Sequence, residues 1–537
     1  MNTVIWYLVA LGAFIMVVLL VAGLAKFAPR NITIIGTKFF RHTLCYLALY
    51  FFVVFVIVNL LYLAFGIGDK ASFGQRCARA AIFNFIPLSA GGDMNPLANT
   101  LHLRLDTYAR AHRWIGRVAI FEGFTHVVVA SIQHQPDMHV LSNVAGLVVS
   151  VFPIEMNAAQ FVQAVTILTL MLCSLLLRRK AFEIFLTSHW LLAVILIIAN
   201  LIHIHVSTQT ILLVPNIFLL MAICIHSLIA LLRLCFIIFR NLSAGSWRNE
   251  ASVDTCVFAH NVGNDVANIV CADAAHVLIR LVRPWDYKPG QYVYLRVGTQ
   301  SHPFYFFKCD TKEDENFIIL LIQRRNGFTK HILGADKYLE NINEKSTKGQ
   351  AIQKVIIEGP YGHGAKLDEY DKVLFFATGV GISGELAYIE GLLPEVSVGK
   401  VTQVVVFWEI ETEIQSSWTA NHMNKLIKKD KFQVLKLYLF IIKPINPEKK
   451  GKSEIKGRSG LHNVFFTRMD IDHCLMEIGE NNQVALFLAT DQSMNRKIRK
   501  KASKLGFRSS DIYELEFYPS VNKLKNRSHE GYGHKCL

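Results

Sequence analysis

Apolar residues fill long blocks over the first 240 positions and alternate with polar residues only beyond about position 250. Crossing roughly 30 Å of hydrocarbon takes about 20 apolar residues. Blocks of that size lie at 4–25, 43–66, 108–131, 156–177, 186–206 and 211–238. A seventh, at 76–92, is shorter and interrupted by Pro87. The first block has no basic segment before it and no small-residue cleavage site, so it reads as a retained helix. Beyond 250, AHVLIRLV, QYVYLRVG and FIILLIQ alternate between Gly and Pro breaks, which predicts an antiparallel barrel over 250–365. KVLFFAT, VTQVVVFWEI and QVALFLAT then predict a doubly wound sheet over about 366–520. The stretch 443–459 and the tail after 522 read as solvated loops.

Composition sharpens this division. Of the 537 residues, 52% are hydrophobic and only 18% charged, against about 25% charged in soluble domains. Residues 1–240 hold 16 Lys/Arg and 7 Asp/Glu, whereas 241–537 hold 40 and 34. The first half therefore reads as membrane and the second as a soluble module. The predicted division is 1–75 for N-terminal spans, 76–240 for a helical membrane domain, 250–365 for the barrel and 366–537 for an α/β domain with its tail. Ten cysteines without a CxxC pair argue against a disulfide or zinc framework.

Seven spans place the chain ends on opposite sides. With the soluble half in the cytosol, the inner loops carry Lys26, Arg30, Lys38, Arg41, Arg104, Arg110, Arg113, Arg178, Arg179 and Lys180. The outer loops carry only Lys70, Arg76 and Arg79, as the positive-inside rule requires. The three sequons at Asn31, Asn241 and Asn526 then face inward. The basic excess is topological, and a nucleic-acid partner is not needed to explain it.

Ionisable groups inside spans default to function because lipid burial is costly. His112 and His126 lie 14 residues apart on one span, and His189 and His203 lie 14 apart on another. Fourteen residues return to one helix face within about 40°, after about 21 Å of rise. The two spans run parallel, so His112 faces His189 and His126 faces His203. Two such pairs suit two b-type haems with bis-imidazole ligation. His205 is turned away by its spacing of 16 from His189, and His226 has no partner at this period. Glu122 lies between the two levels, as a proton relay or as a hydrogen bond within the bundle.

The stretch His112-Arg113-Trp114-Ile115-Gly116-Arg117, with Ile86-Pro87-Leu88 and Asn95-Pro96-Leu97 before it, resembles the haem core of fungal ferric and cupric reductases. The NADPH oxidases share that superfamily. The resemblance implies that His112, His126, His189 and His203 are the haem ligands, and that Arg113 and Arg117 meet propionates. Gly92-Asp93 replaces a basic residue that the family carries there.

Tyr287-Lys288-Pro289-Gly290-Gln291-Tyr292 and Ser301-His302-Pro303-Phe304-Tyr305 resemble the FAD-binding barrel of ferredoxin reductase-like proteins. The resemblance implies that His302, Pro303 and Phe304 cradle the isoalloxazine. It likewise implies that Gly327, Phe328 and Thr329 bind the FAD pyrophosphate, and that Gly359, Pro360, Tyr361 and Gly362 form the interdomain turn. Tyr305 departs from the usual Ser or Thr. The strand Lys372–Thr378 leads into Gly379-Val380-Gly381-Ile382-Ser383-Gly384 and a helical run, the context a phosphate-binding glycine turn needs. This segment resembles the family's nicotinamide nucleotide motif, with Gly379, Gly381, Ile382, Ser383 and Gly384 at the dinucleotide. After Trp408 the family reaches an Arg for the 2′-phosphate, whereas this chain has Glu411, suited to a ribose hydroxyl. Thr490 and Met494 stand where relatives carry Cys-Gly-Pro and a Met-containing helix. Phe517-Tyr518 takes the place of a C-terminal Phe-x-Trp.

The expectation is a multi-pass helical membrane domain joined to a cytosolic ferredoxin reductase-like module. Electrons would pass from NADPH, or NADH, through FAD and two haem b groups to an acceptor beyond the lipid. That acceptor is a ferric or cupric ion or chelate in the leading reading, with the loop 133–139 as a candidate dock. Two readings stay open beside it: an oxidase that reduces dioxygen to superoxide, and a non-catalytic haem protein. Plasma membrane is the family expectation, with an endomembrane as the alternative.

Overall fold

The computed structural model describes residues 53–64, 68–101, 103–133, 158–178, 181–208, 214–243, 246–247, 249–261, 267–283, 285, 287–298, 300–308, 317–324, 328–329, 351–393, 401–456, 462–477 and 483–517. The chain divides into two compact units, 1–235 and 236–537. The expected span at 4–25, the loop 134–139, Gly327 and Tyr518 lie outside the described residues.

The first unit is helical. Its helices are α1 (Val53–Ala64), α2 (Lys70–Ser89), α3 (Met94–Thr100), α4 (Leu105–Gln133), α5 (Ala158–Leu176), α6 (Phe182–Thr208) and α7 (Val214–Asn241), the last ending in the second unit. Asp69 starts α2 with a capping box, accepting from the Ser72 N–H at 2.7 Å while Ser72 Oγ accepts from the Asp69 N–H. Pro87 does not interrupt this helix, which continues to Ser89. The proline stands two residues from the helix end, so its missing N–H removes one bond of the last turn only. Phe83 of α2 meets Phe218 of α7 edge-on at 4.6 Å, inside a cluster with Tyr62, Ile204 and Leu219. Leu175, Ile184 and Leu232 are more than half exposed, an apolar exterior that lipid would cover. Among the described residues, Ile184–His205 and Asn216–Asn241 are long and apolar enough to cross a membrane, with mean hydropathies of 2.1 and 2.4.

The second unit holds a closed barrel and an open sheet. The barrel strands are β1 (Asn249–Asn261), β2 (Ala267–Arg280), β3 (Tyr292–Val297), β4 (Gln300–Lys308), β5 (Phe317–Gln323) and β6 (Ala351–Tyr361). They close antiparallel in the order β1-β2-β5-β4-β3-β6. Alternate residues Val277, Ile279, Val293, Leu295, Leu320 and Ile322 point inward and fill it. Asn241 fastens the start of this unit. Its amide donates to Ile357 O at 2.7 Å, and its Oδ1 accepts from Ile357 N and from Asn249 Nδ2. That sequon asparagine is buried with its amide fully engaged.

The open sheet contains β7 (Lys372–Thr378), β8 (Gln403–Thr412), β9 (Leu435–Lys443), β10 (Ser453–Lys456), β11 (His462–Phe465), β12 (Val484–Ala489) and β13 (Ile512–Glu514). Their order is β10-β11-β9-β8-β7-β12-β13, parallel except for β10 on β11. Helices α8 (Leu386–Leu392), α9 (Ala420–Lys429), α10 (Ile471–Met476) and α11 (Gln492–Lys504) connect the strands. β12 is buried at every position and β7 at all but its last, which accounts for their unbroken apolar sequences. The stretch 443–459, expected as loop, contributes β10 at the sheet edge. Its Lys and Glu content suits an edge strand, where charge discourages pairing with another chain.

Candidate functional site

Helix α4 carries His112 and His126, and α6 carries His189 and His203. Ile115, Ala119 and Glu122 are buried between the first two, so one inward stripe of α4 connects them. The rings of His112 and His189 have centroids 6.3 Å apart and planes at 78°. Phe185 stacks on His189 at 5.3 Å. With a metal–imidazole bond of about 2 Å and a ring radius of about 1.1 Å, two trans imidazoles on one iron sit about 6 Å apart. The spacing therefore fits a single iron between the rings. His203 lies within electrostatic reach of His126, whereas His205 is exposed.

His126 is oriented by α2. Its Nδ1 lies 2.9 Å from Gly74 O, and a carbonyl only accepts, so Nδ1 carries the proton. Nε2 keeps its lone pair, the tautomer a metal ligand needs. Gly74 is required beside it, because a Cβ would stand 2.9 Å from Val129 Cγ1. Gly91 was not singled out from the sequence, yet a Cβ there would fall inside the His112 imidazole. Glu122, fully buried, accepts from Asn84 Nδ2 at 2.8 Å, and Asn84 also donates to Asn59. Arg117 lies over the Trp114 ring at 4.5 Å.

On β4, His302 meets Phe328 at 4.3 Å and Phe304 lies parallel to Phe328 at 6.3 Å. Pro303 pairs with Tyr294 of β3, and Thr329 follows Phe328 in a short helical turn. Beside His302 the buried Ser301 hydroxyl has no hydrogen-bond partner among the described residues. An aromatic cradle with a spare hydroxyl suits a flavin. Tyr305 is enclosed, stacked on Phe517 at 4.4 Å. The turn Gly359-Pro360-Tyr361-Gly362 contains two glycines at φ +132° and +96° and a cis Gly359–Pro360 bond. A Cβ on Gly362 would stand 2.8 Å from Gly290 O, so the two glycine turns approach closely. Tyr361 is buried and donates to Glu358.

The glycine turn follows β7, beside the point where the sheet order reverses towards β12. Open α/β sheets bind ligands at such a crevice. Gly379 (φ +50°) offers its carbonyl to Trp408 Nε1 at 2.9 Å. Gly381, Ile382, Ser383 and Gly384 are buried, with Ser383 Oγ donating to Val380 O. A Cβ on Gly384 would lie 2.7 Å from the Leu515 methyls, so Leu515 would have to shift to admit one. Glu411, at the end of β8, is paired with Lys443 at 2.6 Å. Thr490 is buried and donates to Asn495, and Asp491 caps α11 by accepting from the Ser493 and Met494 N–H groups. Glu385, missed in the sequence, follows the turn with its carboxyl fully buried.

Two families match segments of the chain. Residues 77–200 match the ferric reductase like transmembrane component, and residues 261–365 match an FAD-binding domain. Ferric reductase transmembrane component 3 of Saccharomyces cerevisiae is 33% identical over 132 residues, covering 24% of this chain and 16% of the yeast protein. Ferric/cupric reductase transmembrane component 2 of the same organism is 31% identical over 121 residues, covering 21% and 16%. Ferric/cupric reductase transmembrane component 7 is 24% identical over 252 residues, covering 46% and 35%. The chain thus spans about a third or less of the length of these relatives. In its membrane helices and its barrel the chain is similar to the ferric and cupric reductase transmembrane components.

Proposed function

We propose that this chain carries electrons from cytosolic NADPH, or NADH, across the membrane to ferric or cupric ions or their chelates. The observation that carries this reading is the 6.3 Å spacing of the His112 and His189 rings on helices that bear a second histidine pair 14 residues on. α4 and α6 would hold two haem b groups, His112 with His189 and His126 with His203. Bound flavin would take the two electrons of a hydride and allow the one-electron haems to receive them singly.

The chain's own residues bind and orient. Gly74 O holds His126 in its ligating tautomer. His302, Phe304 and Phe328 would supply an aromatic bed for FAD, with Thr329 on its pyrophosphate side. The backbone of Gly379–Gly384, anchored by Trp408, receives the nicotinamide dinucleotide. The basic loops support a cytosolic second half.

Anaerobic spectra of the purified chain test this reading. NADPH or NADH should reduce haem to the level that dithionite reaches, and ferric chelate should then reoxidise it. Reduction by dithionite alone would end the enzyme reading for this chain. A superoxide-dismutase-sensitive signal that persists without added metal would replace ferric iron with dioxygen as the acceptor.

A further inference from the structure

Sequence periodicity leaves His226 without a role, because no histidine lies 14 residues from it. Its surroundings assign one. The buried stripe of α7 runs through Phe218, Leu219 and Ala222 and reaches His226 at the same helical period. The imidazole therefore points into the helix bundle. There its Nδ1 lies 2.9 Å from Ser89 O, which can only accept, so Nδ1 holds the proton and Nε2 is left to bind. His126 is held in the same way by Gly74 O. The turn after α2 also joins His226 to the inner histidine pair. Its consecutive glycines each face an imidazole: a Cβ on Gly91 would enter the His112 ring, and one on Gly92 would lie 2.7 Å from His226 Cε1. Two glycines in a row have given their side-chain space to two histidines.

We infer that His226 is a positioning residue of the inner haem site, its Nε2 hydrogen-bonding a propionate carboxylate of the haem held by His112 and His189. This rests on the functional reading above. A hydrogen bond at that carboxylate offsets its negative charge and raises the potential of the iron.

The test is potentiometric titration and low-spin EPR of the full chain in nanodiscs. His226→Asn keeps a donor for Ser89 O and has no atom at the Nε2 position, whereas His226→Gln reaches that position. The inner-haem midpoint should fall and its EPR signal shift in His226→Asn, and His226→Gln should restore part of both. Gly92→Val, which displaces the ring, should reproduce the His226→Asn result, with the outer-haem signal as the control for folding. An inner-haem potential and signal in His226→Asn equal to wild type would overturn the inference, because a packing hydrogen bond alone would survive that change. Wild-type chain without haem would instead overturn the functional reading.

Discussion

Phe517 stacks on Tyr305 with centroids 4.4 Å apart and planes 11° from parallel, and its N–H donates to the Tyr305 hydroxyl at 3.3 Å. The preceding Glu516 accepts from Tyr292 at 3.2 Å, so the end of the described chain is fastened to the barrel by ring and hydrogen bond together. Burial pushes the Tyr305 phenol well above its ordinary range, which keeps it a neutral donor and acceptor.

This predicts two graded losses. Tyr305→Phe keeps the stack but strands the Phe517 N–H, for about 1–2 kcal/mol. Tyr305→Ser, which restores the family's hydroxyl residue, also empties a ring-sized volume and should cost about 3–5 kcal/mol. Thermal unfolding of the purified second-half signal measures both. Equal stability of the Phe and Ser substitutions would show that the ring contributes nothing.

The histidine pairs predict a half-spectrum. On the proposed ligation, with one iron for each pair, His126→Ala should remove about half of the reduced-minus-oxidised haem absorbance. Gly91→Ala should remove the other half although no ligand changes, because its methyl would occupy the His112 ring. A full two-haem spectrum in His126→Ala would refute the ligand assignment.

Glu385 predicts a pH dependence of stability. Burial raises its carboxyl well above the ordinary 4.5, and the Phe376 backbone relieves only part of that. A raised acid binds its proton more tightly in the folded state. Its contribution is therefore fully present below about pH 4.5 and is lost as pH climbs towards the folded value, by up to about 1.4 kcal/mol per unit. Glu385→Met removes the titration. The stability gap in its favour should widen from pH 5 to pH 8, and a constant gap across that range would show that Glu385 does not carry the proton.

The histidine spacing was legible because a helix repeats its face at fixed residue intervals, whatever lies around it. The glycine turn after β7 was legible for the same local reason, since strand, turn and helix are contiguous. What escaped depends on contacts between distant segments. Gly91 gains its meaning only when α4 brings His112 against it, 21 positions later. Pro87 looked like an interruption because its sequence neighbours do not show that the helix ends two residues on. β10 was read as loop because its few charged residues become a strand only by pairing with β11.

Glu411 and Lys443 lie at the ends of adjacent parallel strands, where Thr412 pairs with Lys443 in register. Read alone, Glu411 opposes a 2′-phosphate; paired with Lys443, its charge is largely cancelled. Both side chains are more than half exposed, so solvent limits the pair to about 1 kcal/mol or less. Removing one member should therefore shift the choice of nucleotide by about fivefold. Glu411→Ala frees the ammonium and should raise the ratio of NADPH to NADH in kcat/KM by that factor. Lys443→Ala leaves the carboxylate uncompensated and should lower it, with both effects shrinking at high salt. Identical ratios in the two variants would place the 2′-position away from these strand ends.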